Sequence, residues 1–326
     1  MALLVTGAMG HVGYETVKQA AGRGMSVVAQ YLNTFREDDA RAVGDGVVWV
    51  KCDLASAEDV AAMTEAHDID GCIHTAAIPN DKMGLPRPDD TFLSNVRAPQ
   101  LLLESARQQN WRRFIQVSTG SVFQALPDAT TPVTEDLPPS PRTLYGCTKH
   151  SAELMAEAYA NSYGVSACTV RISWIFGPPL VPKIFDGPRG PIPEFLRRVF
   201  QGEKIDEPEG GDFAASFTYV KDCALGLLAI YEAERLNHTV YHLGSSRNQT
   251  TYEVAKAIEA VVPGAEISVG PGTEPWTSYT ILRGPLSCQR MKEDFGFEPT
   301  YSLEAAIGDF AAWMRQNPES FTEQGE

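Results

Sequence analysis

The sequence predicts a doubly wound parallel α/β sheet with a smaller C-terminal α/β subdomain. Three observations predict it. Short apolar, β-branched runs alternate with helical patterns through the first half of the chain, and the first of these runs leads directly into a glycine-rich turn and a helix. After Phe176 the rhythm gives way to a stretch crowded with proline and glycine.

Ala2 to Val5 forms the first strand, TGAMGHVG at Thr6 to Gly13 the turn, and YETVKQAAGRG a helix that ends at Gly22 to Gly24. In that order Gly7 permits a tight turn, Gly10 lets a pyrophosphate approach the backbone, and Gly13 lets the helix pack on the strand. A dinucleotide is the expected guest. Three spaced glycines alone are weak support, since many such turns need glycine for positive φ and bind nothing; the flanking strand and helix tip the balance toward a cofactor. Further strands are expected at Ser26 to Ala29, Val47 to Val50, Gly71 to His74, Phe114 to Val117 and Val165 to Ile172. Ser56 with Asp59 makes a capping box before VAAMTEAH, and Thr91 to Gln108 and Gly146 to Tyr163 read as long amphipathic helices.

From Phe176, GPPLVPKIFDGPRGPIP reads as a loop into the second subdomain. Asp222 to Glu234 is a helix, Val240 to Gly244 a strand, and Thr250 with Glu253 caps a helix from Thr251 to Val262; Ser302 to Gln316 is the last helix, before a fraying polar tail. The expected organisation is a Rossmann domain over 1–175, to which 217–245 returns, and a substrate-binding subdomain from 176–216 and 246–326.

With 326 residues, 43% hydrophobic and 21% charged, the chain can bury a substantial core. Its net charge of −15, without a Lys/Arg cluster, argues against a nucleic-acid surface. The six cysteines are dispersed without CxxC spacing, which reads as reduced thiols and neither a disulfide nor a metal framework. No run reaches the ~18 apolar residues of a membrane span. The glycine loop follows Met1 too closely for a signal peptide, so a cytoplasmic protein is expected.

The residues with the clearest chemistry are Tyr145 and Lys149, in YGCTK. Four apart on a helix, phenol and ammonium share a face, so the cation favours phenolate and makes Tyr145 an acid/base suited to hydroxyl protons. On these two residues alone, a packed aromatic and a solvated lysine would be the better reading. The upstream glycine loop reverses that judgement.

Together, TGAMGHVG, Asp53 in CDL, HTAA from His74, Asn95 in SNVRAPQLLLESA, STGSVF from Ser118, Tyr145 with Lys149, RISWIFGP from Arg171 and FTYVKD from Phe217 closely resemble the extended short-chain dehydrogenase/reductase family. That family includes nucleotide-sugar epimerases, dehydratases and dehydrogenases. The resemblance runs over nearly the whole chain and implies Tyr145 as acid/base, Lys149 as the nicotinamide-ribose ligand, and Thr119 as the hydroxyl that holds the reacting oxygen, with Ser118 and Ser121 as lesser alternatives. It implies a cofactor held by Gly7, Met9, Gly10, His11, Val12, Gly13, Tyr31, Asn33, Arg36, Asp53, Leu54, Thr75, Ala76, Ala77, Asn95 and Val117 besides Tyr145 and Lys149. Ile78, Ser121, Trp174 and Trp276 are the expected substrate contacts, core packing being the equal alternative for the aromatics. Asn95 also fits a backbone anchor, Asp53 a helix cap, and Arg171 an ion-pair partner; His74 reads as a packed residue.

Departures from the family pattern narrow the function. Tyr31 stands where an acid would read the ribose of NAD, and Arg36 is the nearest candidate for a 2′-phosphate, so NAD and NADP both remain open. Gly120 and Ser121 replace the Asp-Glu pair of the dehydratases, which removes elimination. Ala215 and Thr277 stand where nucleotide-sugar members carry diphosphate-clamping arginines, although Arg247 or Arg283 restores one clamp if the register is shifted. The expectation is an NAD(P)-dependent oxidoreductase acting on a secondary alcohol or ketone of a small sugar or sugar acid. The alternatives are a nucleotide-sugar epimerase and a non-catalytic cofactor sensor. The resemblance further implies a homodimer through the two long helices.

Overall fold

The computed structural model describes residues 1–126, 128–179, 190–273, 276 and 281–321. Its main sheet has seven strands: β1 (Ala2–Thr6), β2 (Val27–Tyr31), β3 (Val47–Lys51), β4 (Ile69–His74), β5 (Arg113–Thr119), β6 (Ala167–Ile172) and the strand Val240–Leu243. Their spatial order is Val240–Leu243, β6, β5, β4, β1, β2, β3, and every pairing is parallel. The order reverses between β1 and β4, whose carboxyl ends meet with Thr6 opposite His74. A crevice at such a reversal is where open α/β sheets take ligands.

Successive residues of each strand feed different cores, because both faces of a parallel sheet are covered. Leu3, Val5, Ile73, Ile115 and Val170 pack with Val17 of α1 (His11–Gly22) and Leu227 of the helix Val220–Glu232. Leu4, Val28, Cys72 and Phe114 face the other way, onto Val60 of α3 (Ala57–Ala66) and onto Leu102 and Ala156. Between β2 and β3 lies the short α2 (Glu37–Val43).

The stretch that reads as one helix from Thr91 is interrupted. After α4 (Asp81–Gly84), α5 (Pro88–Phe92) runs through a π-helical turn at Leu93–Arg97 into α6 (Ala98–Gln108). Pro99 has no N–H and its ring would press on the carbonyl one α-turn back at Asn95, a conflict the wider turn relieves. The next helix, α7 (Leu144–Tyr163), starts two residues before its expected beginning, where the Thr143 hydroxyl accepts the Gly146 N–H at 3.2 Å, and ends on Gly164 at φ 70°.

A separate core gathers Phe195, Leu196, Phe213, Ile258, Ile307 and Phe310. It contains the helix Pro191–Phe200, whose start lies inside the expected loop, since proline at the first helical position forfeits no hydrogen bond. Three two-stranded pairs are too short to show periodicity in the sequence: Ile175–Phe176 with Thr218–Tyr219, Ala214–Ala215 with Gln249–Thr250, and Ile205–Glu207 with Ile267–Val269. Among the described residues no helix is long and apolar enough to cross a membrane, and all six cysteines are free thiols.

Candidate active site

The glycine loop is built to the limit of steric room. Gly7 sits at φ 61° with its N–H on Gln30 Oε1 at 2.9 Å, and a Cβ there would meet the Ala76 backbone at 2.8 Å. At Gly13 a Cβ would come within 2.3 Å of Gly7 O and 2.8 Å of Thr75 Oγ1, so α1 packs directly on the turn. Gly10 precedes α1 without a side-chain cap, and the first turn carries no carboxylate. Its N–H groups are left to an anion, which fits a dinucleotide pyrophosphate. Met9 is buried beside the loop, whereas His11 turns its Nε2 to Gly177 O at 2.8 Å.

The far end of this crevice is more occupied than the sequence suggests. Tyr31 packs against Phe35 with centroids 4.7 Å apart and ring planes tilted by 31°, and Asn33 is exposed. Arg36 is engaged by Asp39 and lies 5.9 Å over the Tyr14 ring. Asp53 is exposed after β3 and accepts the Ala55 N–H at 3.0 Å; Leu54 is buried. Ser56 caps α3 through the Asp59 N–H, but the Asp59 carboxylate goes to the Asp53 N–H, so the expected capping box is only half closed. Thr250 and Glu253 form a complete one.

The loop after β4 is tied to β1 and to α7. Thr75 Oγ1 donates to Thr6 O at 2.6 Å, Ala76 N reaches Thr6 Oγ1 at 3.3 Å, and Ala77 follows on the same turn. Asn95 spends its amide on Ile78 N, Ile78 O and Thr148 Oγ1, which makes it the clamp between that loop and α7. His74 lies behind, fully buried against Thr6, with burial first and the Lys149 charge second lowering its pKa to about 3. It is therefore neutral at ordinary pH.

Thr119, Ser121 and Tyr145 share one cavity of about 290 Å³ with His11, Val12, Trp174 and Arg283. Three residues that the sequence did not single out complete its geometry. Asp81 accepts the Tyr145 N–H at 2.9 Å, and Gln124 Oε1 accepts the N–H groups of Arg142 and Thr143, so both fix the start of α7; Ser173 faces the same space. Their signal is tertiary, because Asp81 and Gln124 act on a backbone remote in sequence and Ser173 accepts from the remote Arg283 side chain. Lys149 lies one turn after Tyr145, with Nζ on Val117 O at 2.7 Å. Burial lowers its pKa to about 8, against the opposing pull of Glu153.

Behind the cavity, Glu153 gathers Ser118 Oγ at 2.5 Å, Arg171 Nη2 at 2.8 Å and Nε at 3.0 Å, and His150 Nδ1 at 3.1 Å. Burial alone would raise this carboxyl, but the donors and the Arg171 charge outweigh it and hold its pKa below the usual value. Ser118 is thereby committed to this network, and Arg171 is an ion-pair partner.

Two expected substrate contacts stand elsewhere. Trp276 is absent from the cavity wall among the described residues: its indole N–H donates to Thr251 Oγ1 at 3.2 Å and it meets Phe195 edge-on. Indole area is consumed by the second core, the packing alternative open for any apolar aromatic. Ile78 is held by Asn95 and leaves the wall to Pro79, Asn80 and Asp81. Ala215 contributes no cation, Arg247 pairs on the surface with Glu253 at 3.2 Å, and Thr277 lies outside the described residues. Among the described residues no group of three His, Cys, Asp or Glu side chains is arranged to hold a metal ion.

The model of the NAD dependent epimerase/dehydratase family matches residues 3–244. The chain is 25% identical to a dTDP-glucose 4,6-dehydratase of Xanthomonas campestris pv. campestris, over 96% of this chain and 93% of that protein. It is 27% identical to a dTDP-4-dehydro-6-deoxy-D-allose reductase of Streptomyces bikiniensis, over 97% and 96%. Among solved structures, a UDP-glucose 4-epimerase of Thermus thermophilus in complex with NAD superposes with TM-score 0.81 at 25% identity, covering 97% of this chain and 99% of that one.

Proposed function

Because the chain belongs to the NAD-dependent epimerase/dehydratase family, we propose that it is an NAD(P)-dependent oxidoreductase acting on a secondary alcohol or ketone of a small sugar or sugar acid. One observation carries this reading: Thr119, Tyr145 and the N-terminus of α1 open onto a single cavity. Tyr145 takes the hydroxyl proton in one direction and returns it in the other, Thr119 holds the oxygen, and Lys149 sustains the phenolate. A nicotinamide bound beside them would supply the hydride acceptor or donor. Gly7, Gly10, Gly13 and the first turn of α1 hold the pyrophosphate, and Asp53 with Tyr31 borders the adenosine.

Elimination is set aside even though a dehydratase is among the relatives, because no carboxylate stands at Gly120 or Ser121. A small substrate is supported by Ala215, which offers a diphosphate nothing, and by the size of a cavity that the nicotinamide must share. The likeness to the Thermus enzyme supports a second reading, epimerisation of a nucleotide sugar with the cofactor recycled in each turnover. Absorbance at 340 nm with NAD or NADP against free sugars, uronic acids, polyols and hydroxy acids separates the two. Net reduction with a free substrate is expected; epimer formation from a nucleotide sugar without net reduction would replace the first reading with the second.

The reading includes a cytoplasmic homodimer. Phe92, Leu93 and Leu154, near or on the packed helices α6 and α7, are exposed, and a four-helix contact would cover such residues. Light scattering at micromolar concentration should give twice the chain mass of 35.6 kDa, and a monomeric mass would sink the dimer.

A further inference from the structure

The cavity wall carries one cation that pairs with no carboxylate among the described residues. Arg283 donates Nη2 to Ser173 Oγ at 2.8 Å, and no carboxylate among the described residues lies within ion-pair range of it. Its Nη1 and Nε have no hydrogen-bond partner among those residues, and neither is sealed from the cavity. Arg171, by contrast, is satisfied on two nitrogens by Glu153. Burial lowers the pKa of Arg283 to about 10, which leaves it charged at neutral pH, and a desolvated guanidinium gains most from an anion that meets it in its own plane.

The group is also held in place. Asn248 Nδ2 donates to Arg283 O at 2.8 Å, and the following segment is laced to Val133 through Pro285 O and Ser287 N, both at 2.8 Å. Gly284 admits no side chain, since a Cβ would stand 1.8 Å from Thr131 O. The guanidinium lies flat against Gly120, where a Cβ would meet Nη2, Cζ and Nε at 2.3, 2.7 and 2.9 Å. It therefore sits one residue from Thr119, beside the reacting oxygen. Among the described residues Arg283 is the only lysine or arginine on the cavity wall, and the sole carboxylate there, Asp81, is used by the Tyr145 N–H.

We propose that Arg283 is the substrate's carboxylate receptor, and that the substrate is a hydroxy acid of the sugar-acid class whose carboxylate lies one or two carbons from the reacting carbinol. This rests on the oxidoreductase reading for the identity of the reacting group. A lone fork beside the reaction centre matches one planar carboxylate; a diphosphate carries more charge and needs further cations.

The test measures binding apart from turnover. Calorimetric titration of the NADH complex compares gluconate with glucitol and galacturonate with galactose, adds glycerate and UDP-glucose, and repeats the series with Arg283→Met and Arg283→Lys. At least one acid should bind 10-fold or more tightly than its neutral counterpart. Loss of a charge-assisted pair should weaken that acid about 10- to 100-fold in Arg283→Met without moving the neutral partner, and Arg283→Lys should retain part of the preference. Far-UV circular dichroism checks that both variants are folded, and the lysine variant carries the test if the methionine variant is not. The proposal is overturned if no acid is preferred, if the preference survives in both variants, or if UDP-glucose is the ligand that depends on Arg283. Acid binding through Arg283 without hydride transfer to either cofactor would remove the oxidoreductase reading and leave the receptor. Turnover of neutral sugars indifferent to Arg283 would do the reverse.

Discussion

Tyr145→Phe is expected to lower turnover by about 10²- to 10⁴-fold, the usual worth of a positioned acid/base, with cofactor affinity changed less than about threefold. The ring stays on the cavity wall and the backbone bond from residue 145 to Asp81 is untouched, so the start of α7 keeps its tie when the hydroxyl is removed. Single-turnover kinetics on the substrate found in the cofactor screen, together with quenching of tryptophan fluorescence by NADH, provide the two readings. A loss smaller than tenfold would strip Tyr145 of its role. A variant indistinguishable from the parent in every assay would revive the non-catalytic cofactor sensor.

The largest effect on stability is expected at Glu153. Glu153→Met leaves the buried Arg171 charge without its counter-ion and removes the acceptor of Ser118, which should cost about 3–5 kcal/mol. The double variant Glu153→Met with Arg171→Met should recover much of that loss, because the penalty belongs to the orphaned charge and not to an absent attraction. Urea denaturation of the parent and three variants measures it. If the single variant costs under about 1 kcal/mol, or the pair is no better than the single, the network is not the structural support that its geometry implies.

The sequence makes plain whatever is local. Strand β1, the glycine turn and α1 follow one another between Ala2 and Gly22, and each reports itself by a different kind of pattern: apolar run, glycine spacing, helical period. Tyr145 and Lys149 are legible for the same reason, as neighbours on one helical face. Arg283 is legible only as a candidate anion clamp, and Asp81 not at all, because their places depend on what is missing or present across the fold: an empty Cβ position at Gly120 for the one, a backbone N–H at residue 145 for the other. Trp276 shows the opposite failure. Its type suits a sugar-binding wall and a hydrophobic core equally, and only the neighbours Phe195 and Thr251 decide between them. The helix at Pro191–Phe200 was hidden by proline, a residue that breaks a helix inside but begins one well.

The contact between Gly120 and Arg283 also limits how the chain can change over generations. A carboxylate for elimination chemistry would have to enter at residue 120, and the first atom of any such side chain falls within 2.3 Å of the guanidinium. The tip of an arginine can swing away, so the substitution need not break the fold, but it evicts the cation from its place beside Thr119. Acquiring the acid and keeping the cation in that position are competing outcomes of one mutation. The step that brings an acid in at residue 120 is therefore also the step that moves the cation, whatever follows at Ser121.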